Sequence, residues 1–109
     1  MKKDPQVYLY DILESIKQIE LYCQNLTQSQ FESDLKTQDA TFRRLEIIGE
    51  AARNISRIER DQYPQIPWQE IIGTRDKLIH GYSQIDYDLV WEIIKRDLPD
   101  LKEKISAIV

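Results

Sequence analysis

The chain has little of several things. It holds one cysteine, Cys23, one histidine, His80, three glycines and four prolines in 109 residues. One thiol cannot form an internal disulfide, which suits a reducing compartment. No run approaches the ~18 apolar residues of a membrane span. The opening "MKKDPQVYLYDI" carries two lysines but no long apolar stretch after them, so it does not read as a signal peptide. A cytoplasmic protein is the expectation. No glycine-rich phosphate loop is present. There is no histidine pair, no cysteine cluster and no recognisable ligand spacing among the acids, so metal catalysis fits poorly and no cofactor is implied. The net charge of -4 gives no global sign of a nucleic-acid binder, although a local patch can hide within it.

What is there suits one soluble domain over residues 1–109. Hydrophobic residues make up 41% and charged residues 31%, a globular rather than disordered balance. A chain this long can bury roughly two thirds of the surface it exposes when unfolded. Few glycines and prolines, with apolar residues at helical spacing, point to an all-α protein.

Asp4-Pro5 reads as a helix start, Asp as N-cap and Pro at the first helical position. Leu9, Ile12, Ile16, Ile19, Cys23 and Leu26 then form one apolar stripe. In "TQSQFESD", Ser29 and Glu32 have capping-box spacing and predict a short helical turn. The next helix is expected to begin between Lys36 and Asp39 and to run to about Ile58. Leu45, Ile48, Ala52 and Ile55 make its first stripe; Ile47, Ala51 and Ile58 make a second, which would face a neighbouring helix or another subunit. Gly49 within it costs ~1 kcal/mol against alanine, a cost that close helix packing can offset. Pro64 and Pro67 break the pattern, and Pro67 opens a helix through Leu78 and Ile79, with Gly81 just past its end. Asp86 caps a last region striped by Val90, Trp91, Ile94, Leu98, Leu101, Ile105 and Ile108. Pro99 predicts a kink or restart near Leu98. The sum is an antiparallel bundle of four main helices plus a short helical turn.

The segment "TRDKLIHGY" stands out. On a helix Asp76 and His80, four apart, share a face. A carboxylate there can fix the imidazole tautomer and favour its charged form. Arg75 and His80, five apart, lie about 140° around an ideal helix. They line one cleft only where the helix unwinds, for which Gly81 is the expected place. The plainer alternative is a surface Asp76–His80 pair with the imidazole against the helix dipole. Trp68, Trp91 and the tyrosines read first as core or interface residues. Cys23 reads as a buried structural thiol rather than a nucleophile. Residues 41–60 carry Arg43, Arg44, Arg53, Arg57 and Arg60 against Glu46, Glu50 and Glu59, a mild basic excess suited to phosphate contact. A solvated face with ion pairs such as Arg43–Glu46 is the alternative.

"TRDKLIHGY", with "RRLEIIGEAARNI" upstream and "DYDLVWEIIKRDLPDLKEKI" downstream, resembles the HepT branch of the HEPN superfamily over nearly the whole chain. The motif is Arg, four residues, His, one residue, Tyr: Arg75, "DKLI", His80, Gly81, Tyr82. The resemblance implies a helical bundle that forms a homodimer and acts as a metal-independent endoribonuclease. It implies a toxin of a toxin–antitoxin pair, with an MntA-type nucleotidyltransferase antitoxin as partner. By position, Arg75 and His80 would be the catalytic pair, Asp76 their polar companion, and Tyr82 the residue that receives AMP. Many relatives have asparagine at the position of Asp76; a carboxylate there could raise the pKa of His80 or weaken phosphate binding. Arg43 and Arg44 are the candidates for RNA contact, with tRNA or mRNA as substrate.

The residues suit that chemistry. Cleavage through the 2′-hydroxyl needs a base, an acid and positive charge for the developing phosphorane. Histidine titrates near neutral pH, and arginine can hold two phosphate oxygens. One histidine per chain fits a site composed from two subunits. The products would be a 2′,3′-cyclic phosphate and a 5′-hydroxyl. Two other readings keep the fold: a non-catalytic companion subunit of a nucleotidyltransferase, and a purely structural dimerisation bundle.

Overall fold

A computed structural model describes residues 4–80 and 84–109, with Arg75, Ile79 and His80 described by their backbone. It is an all-α bundle. The first helix, α1, spans Pro5–Cys23, and Asp4 caps it by accepting from the Gln6 N–H at 2.8 Å. Leu9, Ile12, Ile16, Ile19 and Cys23 are buried along one stripe.

A short helix, α2, spans Gln28–Glu32. Its capping box is Thr27 with Gln30, not Ser29 with Glu32: Thr27 accepts from the Gln30 N–H, and the Gln30 side chain accepts from the Thr27 N–H. Both pairs have the right spacing. Thr27 wins because the apolar Phe31 then falls inside the turn, fully buried.

The central helix, α3, spans Leu35–Asn54, starting just before the expected window and ending earlier than Ile58. Asp34 caps it, accepting from the Thr37 N–H and hydroxyl at 3.0 and 2.7 Å. Ser56 starts a separate helix, α4, Arg57–Asp61, by accepting from the Glu59 N–H. Apolar periodicity continues across that break, so spacing alone runs the two together. The second stripe therefore divides. Ala51 is buried inside the bundle, while Ile58 is 76% exposed on α4.

The fifth helix, α5, spans Trp68–Leu78, directly after Pro67. The Trp68 indole N–H is shared by the carbonyls of Arg60 and Tyr63, which ties α4 and its exit to the start of α5. Two short strands follow, β1 (Ile79–His80) and β2 (Gln84–Ile85), paired antiparallel with Ile79 opposite Ile85 and His80 opposite Gln84.

The last rod joins α6 (Tyr87–Glu92), a widened π-type turn (Ile93–Asp97) and α7 (Leu98–Ser106). Asp86 caps it by accepting from Leu89 N–H. Pro99 has no N–H, and its ring crowds the carbonyl four residues back. The chain absorbs this by widening the preceding turn rather than by breaking at Leu98, whose own N–H reaches Ile93 O.

Neighbouring helices run antiparallel. The α1 end at Cys23 meets Thr41 near the start of α3, while Tyr8 and Asp11 border Ala51 and Asn54 at its far end. Lys102 of α7 bonds Glu20 of α1 at 2.9 Å, and Pro99 lies near Gln24. The core is one cluster drawn from α1, α3, α5 and the final rod, with Phe31 against Tyr87 and Trp91.

Candidate functional site

The end of α5 differs from the sequence expectation in a way that matters. The helix stops at Leu78, not at Gly81, and His80 is already in extended backbone. Leu78 is fully buried and its carbonyl accepts from the Asp86 N–H at 3.2 Å. That bond and the two ladder pairs tie the last turn of α5 to the start of α6. The i, i+4 relation of Asp76 and His80 therefore does not apply, because only Asp76 is helical.

Arg75 lies in the last turn of α5 and His80 two residues beyond its end. An early unwinding between them is the condition under which an arginine and a histidine five apart can serve one cleft. The side chains of Arg75 and His80, and all of Gly81 and Tyr82, lie outside the described residues.

Asp76 is exposed and borders a groove of about 270 Å³ between α3 and α5. Glu46, Glu50 and Arg53 of α3 line the same groove. Gly49 lets the helices meet: a Cβ added there would lie 3.4 Å from the Ile71 carbonyl oxygen and 3.5 Å from that of Ile72. Close packing is thus what its missing side chain permits. Asp76 joins two further carboxylates and one guanidinium, a local setting that sequence spacing along α5 does not reveal.

Arg43 is not on that side. It borders a different groove, on the α1 flank of α3, with Tyr8, Asp11 and Ile47. Glu46 and Glu50 line both grooves, so a ridge of carboxylate separates Arg43 from Asp76. Arg43 meets Glu46 at 4.0 Å with its own side chain 71% exposed. Such an exposed pair contributes about 0–1 kcal/mol and leaves the guanidinium free to exchange partners. Arg44 is half-buried.

A depression of about 510 Å³ on the other flank of α5 was not legible in the sequence. Its floor is apolar, from Ile48, Ile71, Leu98 and Leu101, and its rim carries Thr74 and Lys77 on either side of Arg75 in sequence. Arg96 and Lys104 also reach it but are held by Glu92 and Asp97, and by Asp100. Lys77 has no ion pair among the described residues. The lining of the depression comes from α3, α5, α6, the π-type turn and α7, so no single periodicity marks it.

Cys23 behaves as a core residue. Burial pushes its thiol pKa up, against a weaker opposite effect from the Thr41 hydroxyl 3.7 Å away. A raised pKa disfavours the thiolate that nucleophilic chemistry needs.

The model of the ribonuclease HepT-like family matches residues 12–108. The chain belongs to that family. It is 43% identical over 108 residues to the "Probable ribonuclease HepT" of Thermococcus cleftensis, covering 99% of this chain and 98% of that protein. A "Putative RNase" of Methanocaldococcus jannaschii is 45% identical over 108 residues, covering 99% of this chain and 89% of that protein. A "Gamma-glutamylcyclotransferase and putative RNase" of the same organism is 46% identical over 109 residues. There the match takes in all of this chain but 49% of the relative, so the chain spans about half of that protein's length. No solved structure matches the chain at a significant level. Family membership places the chain among ribonucleases of the HepT type. No helix among the described residues is long and apolar enough to cross a membrane.

Proposed function

We propose that this chain is a metal-independent endoribonuclease, a toxin whose active site combines Arg75 and His80 from two copies of the chain. The observation that carries the reading is the early end of α5 at Leu78. It puts Arg75 in helix and His80 in extended backbone, braced by the Leu78–Asp86 bond, within a family match that spans the motif.

RNA supplies its own nucleophile. A neutral His80 takes the proton of the 2′-hydroxyl, and the oxygen attacks the adjacent phosphorus. The bond from phosphorus to the 5′-oxygen breaks, and a protonated His80 from the second copy gives that oxygen its proton. The products are a 2′,3′-cyclic phosphate and a 5′-hydroxyl. Arg75 binds two non-bridging oxygens and offsets the charge that builds on them. Asp76 acts as the polar companion of this pair. Arg43 and Arg44 make outer contacts with tRNA or mRNA.

Tyr82 is the regulatory position. Transfer of AMP to its hydroxyl by an MntA-type nucleotidyltransferase antitoxin would set a phosphate beside Arg75 and occupy the substrate phosphate position. Releasing pyrophosphate from ATP balances that step.

Mixing wild type with His80→Ala tests the composite site, because every cleft needs His80 from both copies. With mixed dimers confirmed by native mass spectrometry, cleavage should fall as about the square of the wild-type fraction. A fall in simple proportion to the wild-type fraction would rule the composite site out.

A further inference from the structure

The surface along α5 carries a second feature, and its meaning rests on the ribonuclease reading. A depression of about 720 Å³ lies where α4 meets the start of α5, with Arg57, Arg60, Pro64 and Pro67 among its lining. Pro67 and Glu70 also border the depression that continues to Thr74 and Lys77. The two depressions thus lie one after the other along the eleven residues of α5, about 16 Å at 1.5 Å per residue. One end holds Arg57 and Arg60. The other flanks Arg75.

The cations at the far end have no ion pair among the described residues. Arg43, Arg53 and Arg96 are each in an ion pair. Among the described residues, Arg57 and Arg60 are in none, although Asp61 and Glu70 share the lining. The Arg60 Nε–H is shut off from solvent and has no acceptor among the described residues. Phosphate supplies two oxygens in the geometry that guanidinium favours. Three apart on one short helix, Arg57 and Arg60 share a face and can close on one phosphate.

The rest of the trough suits bases. Pro64 and Pro67 are exposed beside the arginines, and the half-buried Leu89 and Ile93 offer apolar surface in the second half. Apolar surface serves bases whose faces are free, as they are in a single strand and not in a duplex.

We propose that the trough along α5 seats a single-stranded segment of the RNA substrate, with Arg57 and Arg60 gripping a phosphate several nucleotides from the bond that is cut. Arg57 and Arg60 are then positioning residues that set the length of RNA the enzyme prefers. Asp61 and Glu70 keep the attraction local, so the contribution to salt dependence is small: about 0.7 in the slope of log affinity against log salt for each phosphate held.

The test uses the full chain and non-cleavable 2′-O-methyl RNA, a tetranucleotide beside a dodecanucleotide, read by fluorescence anisotropy at several salt concentrations. Wild type is expected to bind the longer strand more tightly. Arg57→Gln/Arg60→Gln should lose about tenfold on the dodecanucleotide, keep its affinity for the tetranucleotide, and show a shallower salt slope. Arg57→Lys/Arg60→Lys should recover part of the loss. Arg57→Gln alone, on an exposed side chain, provides the same comparison should the double variant melt early. Unchanged dodecanucleotide binding in a variant of a wild type that cleaves RNA overturns the trough and leaves the ribonuclease reading intact. A wild type that neither binds nor cleaves RNA overturns both. Tighter binding to a duplex of equal length would also overturn the single-strand assignment.

Discussion

His80 is paired in backbone register with Gln84, not stacked one helical turn above Asp76. Its position is therefore fixed from two sides: by the end of α5, through buried Leu78, and by the start of α6, through the bond from Asp86 N–H to Leu78 O. A site built on such a junction inherits its geometry from the packing of two helices.

That bracing makes Gln84 a sensitive position. In an antiparallel ladder, exchanging pairs alternate, and the Leu78–Asp86 bond makes His80–Gln84 the next such pair. Gln84→Pro removes a donor from it. RNA cleavage should fall at least tenfold while the melting temperature changes little, because Gln84 is exposed and outside the core. Gln84→Ala, which keeps the backbone donor, should cleave at close to the wild-type rate.

Gln38 is a buried polar tie between three elements. Its Nε2 donates to the Phe31 and Glu32 carbonyls of α2 at 2.9 and 3.0 Å, and its Oε1 accepts from the Tyr87 hydroxyl at 2.9 Å. Tyr87→Phe leaves the Oε1 unsatisfied and should cost about 1–2 kcal/mol in denaturant unfolding. Gln38→Leu strips partners from two carbonyls and should cost more, about 2–3 kcal/mol.

Much of this fold was legible and some was not, for reasons that can be named. The α1 stripe as far as Cys23, its Asp4 cap and the Asp86 cap follow from periodicity and cap chemistry and stand in the structure, while Leu26, spaced to continue the stripe, lies past the helix end. Two capping boxes overlap in "TQSQFE", and only the burial of Phe31 selects Thr27. The break at Ile55–Ser56 is hidden because Ile58 keeps the apolar spacing of α3. The early end of α5 is hidden for the same reason: Leu78 and Ile79 suit a helix and a strand equally, and a long-range bond to Asp86 decides. Arg75 and His80 were identifiable as candidates, but their helical spacing misdescribed their relation. The trough along α5 had no sequence signature, since its walls come from α3, α4, α5 and the whole of the last rod.

Gly49 sets how closely α3 and α5 approach. Alanine there meets the Ile71 carbonyl at 3.4 Å, at the edge of ordinary contact, and gains ~1 kcal/mol of helix propensity. Gly49→Ala should thus stay within about 1 kcal/mol of wild type. Gly49→Leu has no room and should cost about 2–3 kcal/mol, and by displacing α5 it should lower cleavage as well. Thermal unfolding beside the cleavage assay checks both parts.

Asp34 gives the chain an acid-sensitive start to α3. Its pKa lies below the ordinary carboxylate value, first because of the Thr37 backbone N–H and then because of the Thr37 hydroxyl. A carboxylate lowered in the folded state contributes stability that is present above its unfolded pKa, about 3.9, and is lost as pH falls through the folded value. Asp34→Asn should therefore differ from wild type near neutrality and converge with it in strong acid. Parallel stability curves over the whole range would show that the Asp34 charge contributes nothing.

His80 is proposed to cleave RNA without a metal. The direct measurement is cleavage by purified chain in excess EDTA, wild type beside His80→Ala, with each mass checked for AMP on Tyr82. The proposed reaction predicts cleavage that persists in EDTA, leaves 2′,3′-cyclic phosphate ends and disappears in the variant. An unmodified wild type that leaves tRNA and mRNA intact would contradict it, and would favour a non-catalytic companion subunit of a nucleotidyltransferase.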